Sequence, residues 1–431
     1  MFSNLKQIKL GSELIVVFSL FVALLIFVLA IYIKDIQPTG SIPYTYWTDF
    51  VSFYTAGKII DQNGSSRLYD LNLQYNYQHS LNPVRVYSLY TTSPFFNPPF
   101  VALPFTPLAK LPFDLAYKVD LAINLSLLIL ICCFVYKLLN QTGFINRLVI
   151  ISGIITFLPI DNALLIGQFS ILLSLVLLLT WKLLSQDKPY QAGLLLSLLL
   201  IKPYLIIFPV IFFLLQKRFR VLKGMIAGGG VLFLISFFLM GWNGLVSYTQ
   251  MLMAASNWNY EFEIFTNLQY NLQNLLMTLL SAGHPRDVFL QWFTVCLLVF
   301  ISTSLFLFRK RSNLKSNLFT LKWAALIPIM LLLSPHTHFH DLGLLIVPAV
   351  LLIYLNQEKG LGINNWLINS VIIIGYLLGD LLRTEAVPPT WQIELEIIFM
   401  LLVLLLLSFL FDFRHKLWYT TQLRGRIDST E

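Results

Sequence analysis

Gln191–Gln216 reads QAGLLLSLLLIKPYLIIFPVIFFLLQ, an apolar stretch with a single charge, Lys202. Two half-length runs, 190–201 and 203–216, meet at Lys202–Pro203. Proline lacks the amide hydrogen that would continue a helix, so the pair predicts a hairpin that breaks at membrane depth. Irregular backbone there is tolerated only against protein or a water-filled cavity. Buried charges within spans are costly, about 2.5–3.5 kcal/mol at a helix centre, and are functional candidates by default. Lys202 is the clearest in this chain. Its ammonium suits a phosphate group, the alternative being a lysine that snorkels to the interface.

The rest of the chain has the same character. Its 431 residues are 57% hydrophobic and 12% charged, with a mean hydropathy of +0.74. Apolar runs of roughly 20 residues recur from end to end, the mark of a polytopic helical membrane protein. The short alternating segments of a membrane β-barrel are missing. The reading is all-α, with about twelve spans near 14–33, 119–139, 147–160, 164–184, 190–201, 203–216, 222–240, 288–308, 319–333, 341–355, 364–381 and 393–411. The run Leu14–Ile33 is too long for a signal-peptide core and lacks a small-residue cleavage site, so it counts as a span. Cys132, Cys133 and Cys296 all fall in apolar spans and imply neither a disulfide framework nor a metal site.

Charge orients the spans. With both termini cytoplasmic, inner segments hold about 20 of the 29 Lys and Arg residues, as the positive-inside rule requires. That rule also accounts for the net charge of +8 without a nucleic-acid partner. The whole chain, 1–431, reads as one integral membrane domain of a cell membrane. A first outer loop covers 34–118, a second 241–287, and a cytoplasmic tail 412–431. Proline at 94, 98, 99, 104, 107 and 112 rules out one regular helix in the first loop. Short amphipathic helices on the membrane surface are expected there instead.

That loop opens with YTYWTDFVSFYTAG, Tyr44–Gly57. Asp49 stands among Tyr46, Trp47, Phe50, Phe53 and Tyr54. Desolvation of a carboxylate by aromatic rings makes it a better proton acceptor, which suits a general base. The competing reading is an interfacial aromatic belt that carries a stray carboxylate. Tyr46, Trp47 and Tyr54 can stack on sugar faces or anchor the interface. The other outer polar groups are Asp161 and Gln168 in an expected turn, Asn271 and Gln273, and the loop Ser334–Asp341, SPHTHFHD. Its three histidines alternate, a spacing that can bind zinc on an extended backbone. Hydrogen bonding of His338 and His340 to a phosphate or sugar is the preferred reading, and no metal is assigned. A base, a cation and several hydrogen bonders on one face fit sugar transfer. They also fit a transporter or flippase for a lipid-linked or anionic substrate, although in-membrane polar groups concentrate on the outer half.

Several pieces of the chain, in order, carry a resemblance. They are D-F-x-x-F-Y-x-A-G at Asp49–Gly57, N-P-P-F and P-L-A-x-L-P-F within Asn97–Phe113, I-G-Q-F-S at Ile166–Ser170, A-G-L…K-P at Ala192–Pro203 and S-P…H at Ser334–His340. Together they resemble the polyprenol-phosphate-mannose-dependent mannosyltransferases of glycosyltransferase family 87, in the glycosyltransferase C superfamily. The resemblance implies an extracytoplasmic active site under the first outer loop. It implies an inverting transfer of a sugar, mannose by default, from a polyprenyl-phosphate sugar to a lipid or glycan acceptor. No cofactor is needed, because the lipid-linked sugar phosphate carries its own leaving group. By position Asp49 matches the family's catalytic aspartate, Lys202 its lysine before proline, and His340 the first of its His-His pair. Here His338 replaces the family's tryptophan and Asp341 its second histidine.

Overall fold

The computed structural model describes Tyr46, residues 48–255, Phe262, Gln269, Asn271 and residues 311–359. The described residues form helices and no strand. The chain divides into two compact units, one of residues 1–175 and 232–265, the other of 176–231 and 266–431.

In the first unit, helix α1 (Phe50–Asn63) starts at Asp49 and stops at Gly64. Phe50, Val51, Phe53, Tyr54, Ala56 and Ile59 are all buried. The reason is the proline-rich return, which folds over it. Phe50 packs edge-on to Phe105 and Tyr117, and Phe53 stacks on Phe105 with centroids 5.1 Å apart. Each such ring pair adds about 0.5–1.5 kcal/mol beyond area burial. Helix α2 (Leu71–Leu81) is capped by Asp70, whose carboxylate accepts from the Leu73 amide. It pins the return with two buried amides. Gln74 accepts from the Phe95 amide and donates to the Leu68 carbonyl, while Gln78 exchanges both bonds with Ser93.

Helix α3 (Phe113–Leu138) follows Pro112 and, at about 1.5 Å per residue, is long enough to span a bilayer. The expected spans 147–160 and 164–184 are cut differently. Helix α4 (Phe144–Ile155) ends at Thr156, and α5 (Leu158–Ile166) begins with Pro159 in its first turn, bent by 48°. Asp161 therefore sits on a helix, not in a turn, and the turn falls at Gly167–Phe169 before α6 (Ser170–Ser185).

In the second unit, α7 (Pro189–Leu196) runs into a 3-10 turn, Ser197–Ile201, and α8 (Pro203–Leu215) follows. The break falls at Lys202, as the Lys-Pro pair predicts, with φ −123° and ψ 87°. Helix α9 (Phe219–Ala255) starts here and carries a non-helical Gly241. It runs past the expected end at 240, so 242–255 is helical beyond the kink at Gly241. At Gly193 a Cβ would overlap the Val221 carbonyl and the Met225 amide of α9. Small residues let helix backbones approach this closely in membranes. Gly193→Leu is expected to lower stability by about 1–3 kcal/mol through overpacking, read as a drop in the thermal unfolding midpoint of purified protein. Helix α10 (Asn317–Leu333) is buried almost throughout, with Trp323 against Phe212 and Phe213 of α8. A 3-10 stretch, Phe339–Leu345, leads into α11 (Ile346–Lys359).

Among the described residues, three stretches are long and apolar enough to cross a bilayer, Phe113–Leu138, Phe219–Ala255 and Phe339–Asn356, and the bent α4–α5 pair makes a fourth if it counts as one span. The expected spans 14–33, 288–308, 364–381 and 393–411 lie outside the described residues.

Candidate functional site

The first unit presents Asp49 at the N-cap position of α1, and its side chain makes no cap bond to that helix. The carboxylate instead accepts from the Gln168 side-chain amide, Nε2 to Oδ2 at 2.9 Å. Its other oxygen makes no hydrogen bond among the described residues and is open to a proton donor. The segment before it is tied down. Asn82 donates to the Tyr46 carbonyl at 3.2 Å, and Arg85 to the Thr48 carbonyl at 3.4 Å. Burial, then the Asp114 carboxylate, raises the Tyr46 hydroxyl above its ordinary value, and Tyr46 donates to Asp114.

Gln168 reaches Asp49 because α5 ends in a left-handed Gly167, φ 76° and ψ 34°, with the Gln168 amide returned to the Ala163 carbonyl. A Cβ on Gly167 would sit 3.0 Å from Phe50 Cβ and 3.1 Å from Asp120 Oδ2. Left-handed backbone costs an ordinary residue about 1–2 kcal/mol. Gly167→Ala is therefore expected to destabilise by at least about 1–2 kcal/mol, measured by thermal unfolding. An unchanged midpoint would mean that the turn does not hold this geometry.

Tyr54, expected as a sugar platform, is buried at 4% exposure. Its ring packs edge-on to Phe113, and its hydroxyl donates to the Leu111 carbonyl at 2.8 Å. Trp47 and Gln273 lie outside the described residues.

The second unit brings together Lys202, His340, His338 and two partners that sequence reasoning left out of the site. Lys202 is 6% exposed and forms an ion pair with Asp341, which is 1% exposed. It also stands 3.2 Å from His340 Nε2. Asp341 accepts from the His338 backbone amide at 3.0 Å as well, closing the 3-10 turn. An ammonium has three donors, so one remains for a further acceptor. Burial holds His336, in the loop after α10, down at about 3, so its imidazole is neutral. Gln269 lies 3.3 Å from its Nδ1, and its Nε2 is 3.1 Å from His338 Nε2. Asn271 in turn donates to Gln269. The histidines are thus engaged with one another, and among the described residues no three His, Cys, Asp or Glu side chains stand together as a metal set.

The signal for Asp341 was present in the sequence. It is the one carboxylate in the apolar stretch 319–355, and a charge within spans predicts an opposite partner.

No curated protein and no solved structure matches the chain. The model of Glycosyltransferase family 87 matches residues 95–335, more than half of the chain. Gln168 and Lys202 fall inside the matched residues, Asp49 and His340 outside. With its apolar helices and a match of this extent, the chain belongs to glycosyltransferase family 87, a family of membrane glycosyltransferases.

Proposed function

We propose that this glycosyltransferase moves a sugar, mannose in the first instance, from a polyprenyl-phosphate donor to a hydroxyl of a lipid or glycan acceptor. The reaction takes place on the extracytoplasmic face of the cell membrane, with both termini cytoplasmic. The observation that carries the reading is Asp49, a carboxylate held by Gln168 through one oxygen and open at the other.

In this reading the acceptor hydroxyl gives its proton to the open oxygen of Asp49 as its own oxygen attacks the anomeric carbon. The bond from that carbon to the phosphate oxygen breaks on the opposite side, and the electron pair leaves with the polyprenyl phosphate. The centre inverts through an oxocarbenium-like transition state, the logic of inverting glycoside chemistry. A phosphate leaves without much help from an acid, so one carboxylate suffices. Lys202, with His340 beside it, is assigned to the negative charge of the donor phosphate.

The test is transfer by purified protein in lipid bilayers, with radiolabelled polyprenyl-phosphate mannose and an extract of native lipids and glycans. Label in a new product supports the reading, and the product identifies the acceptor. Absence of transfer from mannose, other hexose and pentose donors alike, by a folded protein, would sink it.

A further inference from the structure

Gln269 and Asn271 are buried amides for which the chemistry above has no task, at 6% and 0% exposure. Their hydrogen bonds form a relay with one direction. Asn271 donates from Nδ2 to Gln269 Oε1 at 3.1 Å. That contact orients the Gln269 amide, so its NH2 faces His336 and donates to Nδ1 at 3.3 Å. His336 is neutral, and a neutral imidazole has one N–H and one acceptor nitrogen. With Nδ1 accepting, its proton sits on Nε2 and is donated to His338 Nε2 at 3.1 Å. His338 therefore carries its own proton on Nδ1, an assignment fixed by the network as a whole. His340 reaches the same state by another route. The Lys202 ammonium, paired with Asp341, donates to His340 Nε2 at 3.2 Å. The rings of His338 and His340 stack with centroids 5.7 Å apart and 26° between their planes. Two neighbouring imidazoles beside Lys202 thus both carry their proton on Nδ1.

We propose that Gln269, backed by Asn271, is a positioning residue for the donor substrate. It holds His338 in the Nδ1–H form, which donates a hydrogen bond to the phosphate of the lipid-linked sugar. The inference rests on the glycosyl-transfer reading, with the phosphate at Lys202, and deepens it. The chemistry of the ligand decides between phosphate and sugar. An ionised phosphodiester only accepts hydrogen bonds, so a ring nitrogen that presents a lone pair repels it. A sugar hydroxyl donates as well as it accepts and tolerates either tautomer. A relay that fixes the tautomer therefore serves a group that only accepts.

The experiment uses the full chain in lipid with labelled polyprenyl-phosphate mannose, and other hexose and pentose donors, and the native extract as acceptor. Gln269→Glu is nearly isosteric. Its Oε1 still accepts from Asn271, but an ionised oxygen replaces the NH2 and can only accept. His336 must then turn its proton to Nδ1, which reverses the relay and moves the His338 proton to Nε2. At about pH 8 the donor KM is expected to rise at least about tenfold, in the range of one hydrogen bond to a charged group, with the maximal rate changed less than about threefold. Protonation of the new carboxyl, which burial favours, restores a donor, so the ratio of this KM to that of wild type should fall toward about one near pH 5. Lys202, Tyr204, His338, His340 and Asp341 surround His336 in both proteins, so the ratio isolates the change. Gln269→Met loses the bond without reversing the relay, and its KM should rise less than that of Gln269→Glu. A merely structural role predicts the opposite order. His338→Phe keeps a ring and removes the donor, so its KM should rise by a similar factor even if Gln269→Glu fails to fold. A donor KM within about twofold of wild type in folded Gln269→Glu or in His338→Phe overturns the inference and leaves the glycosyl-transfer reading standing. So does a ratio that stays constant with pH, or a larger effect from Gln269→Met. Wild type inert toward every donor overturns both.

Discussion

Asp49→Asn is expected to slow sugar transfer by about 10²–10⁴-fold, the usual contribution of a positioned general base, with the donor KM within about threefold. The substitution is nearly isosteric. Its amide oxygen still accepts from Gln168, so the 2.9 Å contact that orients the side chain survives. What is lost is the capacity of the open oxygen to take a proton. The change sits at the first residue of a helix whose packing lies beyond it, in Phe50, Phe53 and Tyr54. The thermal midpoint should therefore stay near that of wild type. Single-turnover rates with prebound donor isolate the chemical step from binding. Turnover within about threefold of wild type would remove Asp49 from the chemistry. Gln168→Leu serves as the companion variant. It removes the orienting donor and leaves the base, so its loss should be smaller, about one hydrogen bond to a charged group or 1.5–3 kcal/mol.

The elements of this site were readable one by one, but their pairing was not. The Lys-Pro pair announced the break at Lys202 because proline acts locally, on its own backbone and its neighbour's. The start of α3 after Pro112 has the same origin. Gln168 and Asp49 are 119 residues apart, and hydrophobic periodicity does not say which helices adjoin. Gly167 carried a local hint, since a glycine after an apolar run marks a helix C-terminus. The apolar run through 147–160 hid that signal, because a break at Thr156 leaves no change in composition. The cover over α1 was hidden for a related reason. It comes from the proline-rich return, whose irregular backbone follows no periodic rule.

Asp341→Ala is expected to lower stability by about 3–5 kcal/mol, because it leaves the Lys202 ammonium buried without its counter-ion. Lys202→Met should cost a similar amount by stranding the carboxylate. His340, which lies 3.2 Å from Lys202 Nζ, has an imidazole that carries no negative charge and cannot replace the one lost. The double variant Lys202→Met/Asp341→Leu is expected to recover most of the loss, since a buried ion pair exchanged for apolar groups of similar volume is often neutral in stability. Thermal and denaturant unfolding of the four proteins closes a double-mutant cycle, and its coupling energy isolates the pair. Activity should follow a different order. The double variant, although as stable as wild type, still lacks the cation assigned to the donor phosphate and should transfer sugar no better than Lys202→Met. That divergence separates a charge kept for chemistry from one kept for folding. Single variants within about 1 kcal/mol of wild type would show that the pair is not held as a buried unit. A double variant that transferred sugar at the wild-type rate would take the phosphate role away from Lys202.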